Sequence, residues 1–141
     1  MPRRKGKILS DTRGITILGG GRRKAKPSAR LEAFPFHHPG RDTVITFHCG
    51  EFTCLCPVTG QPDFATLDIA YIPQEKALES KSLKSYLWTY RDVGGFHEDI
   101  ANQILDDLFG FLKPRWMKVT GHFFRRGGIA IDVEVERRPR P

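Results

Sequence analysis

The hydrophobic period of this chain changes twice, and that constrains its fold more than any other feature. Thr43 to Cys49 reads TVITFHC, alternating and β-branched, which predicts a strand. Phe64 to Ile72, FATLDIAYI, alternates again and stops at Pro73. The stretch between them, Glu51 to Asp63, holds Gly60 and Pro62 and reads as a loop. The period then lengthens. Leu83, Tyr86, Leu87 and Tyr90 stand at i, i+3, i+4 and i+7, one face of a helix. Gly94-Gly95 breaks it, and His97 to Leu112 carries a second apolar stripe at Ile100, Ile104, Leu105, Leu108 and Leu112. After Pro114 the period returns to two. Trp116 to Phe124 predicts a third strand, Gly127-Gly128 a tight connection, and Ile129, Ile131, Val133 and Val135 a fourth strand. The order ββααββ predicts an α+β fold, an antiparallel sheet with two helices on one face. The other face then needs cover, and a ring of subunits joining sheets edge to edge would supply it. No internal repeat is present.

Charge divides the chain in the same way. The 141 residues carry a formal +7. Residues 1–30 hold ten Lys/Arg and one acid, and residues 137–141 add three arginines. The remainder, 31–136, has ten bases against fifteen acids. The part expected to fold is therefore acidic, and the basic character belongs to the two tails. Such tails suit contacts with phosphate, but a solvated tail is the simpler expectation. Nucleic acid is accordingly not the expected partner of the folded part. Without an apolar run of ~20 residues, no membrane span is expected, and without an h-region no secretory signal. Cys49, Cys54 and Cys56 lie too close together to staple distant segments, which fits a reduced, cytoplasmic setting.

Four short stretches carry candidate chemistry. CLCPVTGQPDF puts Cys56 before a proline and Asp63 seven residues later, at the start of a strand. A cysteine nucleophile works as its thiolate and needs a proton acceptor or donor nearby. The spacing alone fits equally a small buried thiol and a turn-capping Asp. ALESKSLKSYLWTY sets Glu79, Ser80, Lys81 and Lys84 at a helix start, where lysines oppose the helix dipole and a phosphate ligand would justify them. A solvated helix face is the plain alternative. GGFHEDIANQ places His97 and Glu98 where the second helix begins. A carboxylate there can accept two hydrogen bonds from a guanine-like edge, or simply cap the helix. RRGGIAID offers Arg126-Gly127 at a hairpin, as a phosphate clamp or as turn chemistry. His48, Cys49, Cys54 and Cys56 lack a matching second ligand pair, so metal is not expected. Gly19 to Gly21 lie in the basic tail, so the dinucleotide fingerprint is absent.

Taken in order, LCPVTGQPDFA, ESKSLKSY, FHEDI and RGGI closely resemble the NADPH-dependent 7-cyano-7-deazaguanine reductases, the nitrile reductases of queuosine biosynthesis. The resemblance runs from about Leu31 to about Asp132, and ESKSLKSY is its most specific piece, separating these reductases from their GTP cyclohydrolase I relatives. It implies a tunnelling fold over residues 31–136 and homo-oligomeric rings with sites between subunits. Stacked pentamers are the expected form, with a single ring left open. It implies reduction of the nitrile to an aminomethyl group with two NADPH and no metal. Cys56 matches the nucleophile that forms a covalent thioimide, and Asp63 the proton donor. Leu78, Glu79, Ser80, His97 and Glu98 match positions that hold the deazaguanine. Ser80, Lys81, Arg126 and Gly127 match positions that contact NADPH, with Lys84 a further candidate. Two competing readings keep part of the pattern: an amidine-forming transferase on the same nitrile without NADPH, and an RNA-binding module working through the basic tails.

Overall fold

The computed structural model describes Asp11, Arg13 and residues 26–141. Most of the basic segment 1–30 therefore lies outside the described residues. Six strands and two helices follow in chain order: β1 Ala33–Pro35, β2 Ile45–Leu55, β3 Pro62–Ile72, β4 Lys76–Leu78, α1 Ser80–Trp88, α2 His97–Leu112, β5 Trp116–Arg126 and β6 Ile129–Arg137. A 3-10 turn, Thr89–Asp92, continues α1. Four strands form one antiparallel sheet in the order β2-β3-β5-β6, and β1 pairs with β4 in a small antiparallel ribbon. The chain thus has the ββααββ unit expected from the period changes, with a two-stranded ribbon added.

Why the helices sit on one face follows from their stripes. Ile100, Ile104, Leu105, Leu108 and Leu112 of α2 are all buried. They meet Ala65, Leu67, Ile69 and Tyr71 of β3 and Met117, Val119 and Phe123 of β5, which alternate inward and are buried. Leu83 and Tyr86 of α1, with Tyr90 of the turn after it, complete the core. The Tyr86 hydroxyl donates to Asp107 of α2 at 2.6 Å and meets the Tyr90 hydroxyl at 2.8 Å, so this polar pair is buried without loss.

β2 differs from its expected extent. The stretch from Glu51 to Leu55 is strand, not loop, and the loop shrinks to residues 56–61. The cause is a bulge between Cys49 and Phe52. Before it, Ile45, Phe47 and Cys49 pack inward; after it, Phe52 and Cys54 do. One extra residue has switched the parity of the strand, which hides the alternation from a period-two reading. β5 has a similar irregularity between Phe123 and Arg126. Gly127 and Gly128 then turn the chain at φ of 57° and 80°, values open to glycine at little cost. β6 runs on to Arg137, which pairs with Met117, so the first residue of the basic C-terminal stretch is strand.

The outward face of the sheet is polar along one diagonal. His48 Nδ1 meets Asp68 at 2.6 Å, Asp68 faces His122 at 3.5 Å, and His122 meets Asp132 at 3.0 Å. The hydrogen bond to Asp132 pushes the His122 pKa up. Beyond this row, Phe64 and Phe124 stack with ring centroids 6.3 Å apart, both half exposed.

Candidate active site

The loop after β2 is closed on itself. The Cys56 N–H donates to the Gln61 carbonyl at 2.8 Å, and the Gly60 N–H returns to the Cys56 carbonyl at 2.9 Å. Gly60 supplies the positive φ, 72°, that so short a closure requires. The segment before α2 is pinned beside this loop: the Leu55 N–H donates to Val93 O at 2.9 Å and the Gly95 N–H to Leu55 O at 3.1 Å. His97 and Glu98, the first two residues of α2, are thereby held next to Cys56.

A cleft of about 490 Å³ results, lined by Cys56, Thr59, Asp63, His97, Glu98 and Arg126, with Phe96, Phe124, Ile129 and Ile131 as its apolar wall. Its electrostatics favour a thiolate. The Thr59 hydroxyl, followed by the backbone N–H groups of Thr59 and Val58 and last by Arg126, brings the Cys56 pKa down to about 7 against a smaller opposing effect of burial. The other two thiols go the opposite way. Burial, with Asp68 near one and Asp63 near the other, pushes Cys49 and Cys54 up to about 11.

Asp63 is 4 % exposed and makes a compact ion-pair cluster. Arg126 Nη1 donates to its Oδ1 at 2.5 Å, and His97 Nε2 faces its Oδ2 at 3.3 Å. Arg126 Nη2 donates to Gln61 Oε1 at 2.8 Å. His97 is itself fixed by stacking on Phe123, centroids 3.8 Å apart and planes within 7°. The irregularity in β5 accounts for Arg126: strict alternation from Phe123 would turn Arg125 toward this face instead.

The residues singled out in the sequence therefore fall into two groups. Cys56, Asp63, His97, Glu98 and Arg126 share one cleft, with Gly127 in the adjoining turn. The remaining five do not line that cleft. Glu79 caps α1: its two carboxylate oxygens accept the N–H groups of Lys81 and Ser82, each at 2.7 Å, which pulls its pKa down. Leu78 is buried, and its N–H donates to the Tyr71 hydroxyl at 2.8 Å. Ser80 and Lys84 line a second cleft of about 850 Å³, with His48, Glu51, Trp88 and Arg91, and Lys81 lies beside them in the first turn of α1. Thr59 and Gln61 are site residues that sequence reasoning did not single out. The signal for Thr59 is a hydroxyl three residues after a cysteine in a Gly-containing turn. Among the described residues, no group of three or more His, Cys, Asp or Glu side chains is placed to hold a metal ion, and no helix is long and apolar enough to cross a membrane.

Comparison with known proteins places the chain among its relatives. The family described as QueF-like protein matches residues 62–141. The NADPH-dependent 7-cyano-7-deazaguanine reductase of Syntrophus aciditrophicus is 57% identical over 126 residues, covering 89% of this chain and 88% of its own. That of Halorhodospira halophila is 56% identical over 115 residues, 82% of this chain and 98% of its own. Among solved structures, the apo archaeosine synthase QueF-Like superposes with a TM-score of 0.64 at 22% identity, covering 70% of this chain and 96% of that one. This last likeness concerns the fold, which is of the tunnelling type.

Proposed function

The chain belongs to the NADPH-dependent 7-cyano-7-deazaguanine reductases, and we propose that the Cys56 cleft performs this reduction through a covalent thioimide. The observation that carries the reading is a thiol held near pKa 7 in a cleft with a buried carboxyl beside it. A nitrile carbon accepts hydride poorly until it is polarised. The Cys56 thiolate attacks that carbon and forms a C–S bond. One C–N π pair moves to nitrogen, which takes a proton from Asp63. General acid catalysis of this kind contributes roughly 10²–10⁴-fold. NADPH supplies two electrons as hydride, so reduction of a nitrile to an amine consumes two molecules.

Recognition follows from the remaining lining. Glu98 offers its carboxylate to the paired N–H groups of the deazaguanine edge, whose burial unpaired would be costly. Phe96 and Phe124 give a planar ring an apolar wall. The donor set also fits the cofactor, since Arg126 presents a guanidinium at the cleft and guanidinium pairs phosphate bidentately.

Leu78, Glu79, Ser80, Lys81 and Lys84 complete the site from a neighbouring copy in a ring, with stacked pentamers as the form tested first. Two observations support this. Ser80 and Lys84 line a cleft of their own with the other three at or beside the start of α1, and the Cys56 cleft is walled by exposed Phe96, Phe124 and Ile129 that want cover. A cytoplasmic setting suits an enzyme that uses NADPH and a free thiol.

The test mixes the protein with 7-cyano-7-deazaguanine and NADPH and follows NADPH absorbance together with the intact-protein mass. Two NADPH per nitrile and a mass increase on Cys56 are expected, and Cys56→Ala should lose both. Turnover retained by Cys56→Ala would overturn the reading. An adduct without NADPH consumption would assign the thiol to the amidine-forming alternative.

A further inference from the structure

We propose that Arg126 is a movable counter-ion: it occupies Asp63 while the cleft is empty, and the phosphates of the arriving cofactor draw it away, freeing Asp63 to carry the proton that nitrile addition consumes. This rests on the nitrile-reductase reading above.

A general acid must present an O–H to the nitrogen it protonates. In the structure Asp63 Oδ1 accepts from Arg126 Nη1 at 2.5 Å, and Oδ2 stands 3.3 Å from His97 Nε2. At 4 % exposure, Asp63 has little water to exchange with. In this arrangement Oδ1 is held as an acceptor by a guanidinium and Oδ2 is covered by the His97 ring, so the same contacts that build the site also block its acid.

Arg126 is the partner able to leave. Its side chain is 41% exposed, it stands at the end of β5, and its other anchor is the neutral Gln61 Oε1 at 2.8 Å. His97 is not, being stacked on Phe123. Among the described residues lining the cleft, Arg126 alone carries a permanent positive charge, while Asp63 and Glu98 are its acids. A ligand bearing phosphates therefore finds one cationic partner there, and it is the one holding Asp63. The support for a thiolate survives the exchange, because Thr59 and Val58 contribute more of it than Arg126 does.

The protons balance. With Arg126 withdrawn, the Cys56 thiol passes its proton to Asp63. The thiolate adds to the nitrile carbon, and the nitrogen takes that proton back from Asp63. The products are a neutral thioimide and a carboxylate ready to receive Arg126 again. No electron leaves or enters this step.

The test follows adduct formation on Cys56 with 7-cyano-7-deazaguanine and no hydride donor, with and without NADP+. Saturating NADP+ should accelerate the wild type about tenfold, the scale of one charge-assisted hydrogen bond. Arg126→Gln without nucleotide should already form the adduct about tenfold faster than the wild type, should ignore NADP+, and should lose NADPH turnover through a raised KM. Arg126→Lys should recover part of the response to NADP+. An Arg126→Gln adduct rate equal to or below that of the wild type would overturn the inference. If that variant does not fold, the wild type decides alone, since no acceleration by NADP+ is the same negative. Failure of the underlying reading looks different: no adduct on Cys56 in any variant.

Discussion

The two clefts are made by opposite means. At the Cys56 cleft, loop and strand ends bring side chains from four segments together, and those side chains answer one another: hydroxyl to thiol, guanidinium to carboxylate, imidazole to carboxylate. Beside the α1 cleft, Glu79 is already occupied by the helix it caps, and Lys81 and Lys84 are exposed. The first group of residues is thus brought together by one chain, whereas the second, among the described residues, is firmly placed at the start of α1 and stays outside that cleft. A site shared between copies would draw the first part from one subunit and the second from another.

The largest expected effect isolates the first cleft. Asp63→Asn removes the proton donor, and turnover should drop roughly 10²–10⁴-fold while Cys56 remains open to simple alkylation. Loss of alkylation as well would mean that Asp63 shapes the loop rather than serving the chemistry. The second experiment joins the clefts. Cys56→Ala and Glu79→Ala chains, each inactive alone, are unfolded together and reassembled. Shared sites should restore up to roughly a quarter of the wild-type activity, because one neighbour pair in four carries both intact halves. No recovery would confine each site to its own chain.

A smaller effect sharpens the account of the thiol. Thr59→Val removes the leading support of the thiolate, so the midpoint of Cys56 alkylation should climb from about 7 toward its ordinary 9. At neutral pH the thiolate fraction, and the rate with it, should fall about fivefold over the first unit of that climb and about ninefold over the second. The smallest effect is thermodynamic. A thiol whose folded pKa lies below its unfolded value adds stability above the unfolded pKa and loses it as pH falls through the folded one. Relative to Cys56→Ala, the wild type should therefore gain melting temperature between about pH 7 and pH 9. A flat difference would mean that the thiol is not held as a thiolate at all.

Much of this was legible in the sequence, for identifiable reasons. α2 spans His97–Leu112 as its stripe and flanking glycines and proline predict, because packing and stop signals agree there. Cys56, Asp63, His97, Glu98 and Arg126, singled out from separate stretches, line one cleft. The misses are places where the pattern is interrupted. Both strand irregularities break the period of two, so a period-two reading stops β2 at Cys49 and β5 at Phe124. β1 and β4 are three residues each, too short to show a period. Thr59 and Gln61 act across a turn, through contacts that no linear spacing announces.

The bulge at Gly50-Glu51 has a consequence for how this gene can change. Loss of a single codon there would alter composition hardly at all. It would also leave Phe52 opposite Ala65 and Cys54 opposite Asp63, because the residue lost is the extra one, whereas the same loss at Thr53 would turn Cys54 outward and re-aim the loop that carries Cys56. This one point of β2 can absorb the loss of a residue that the paired strand on either side of it cannot.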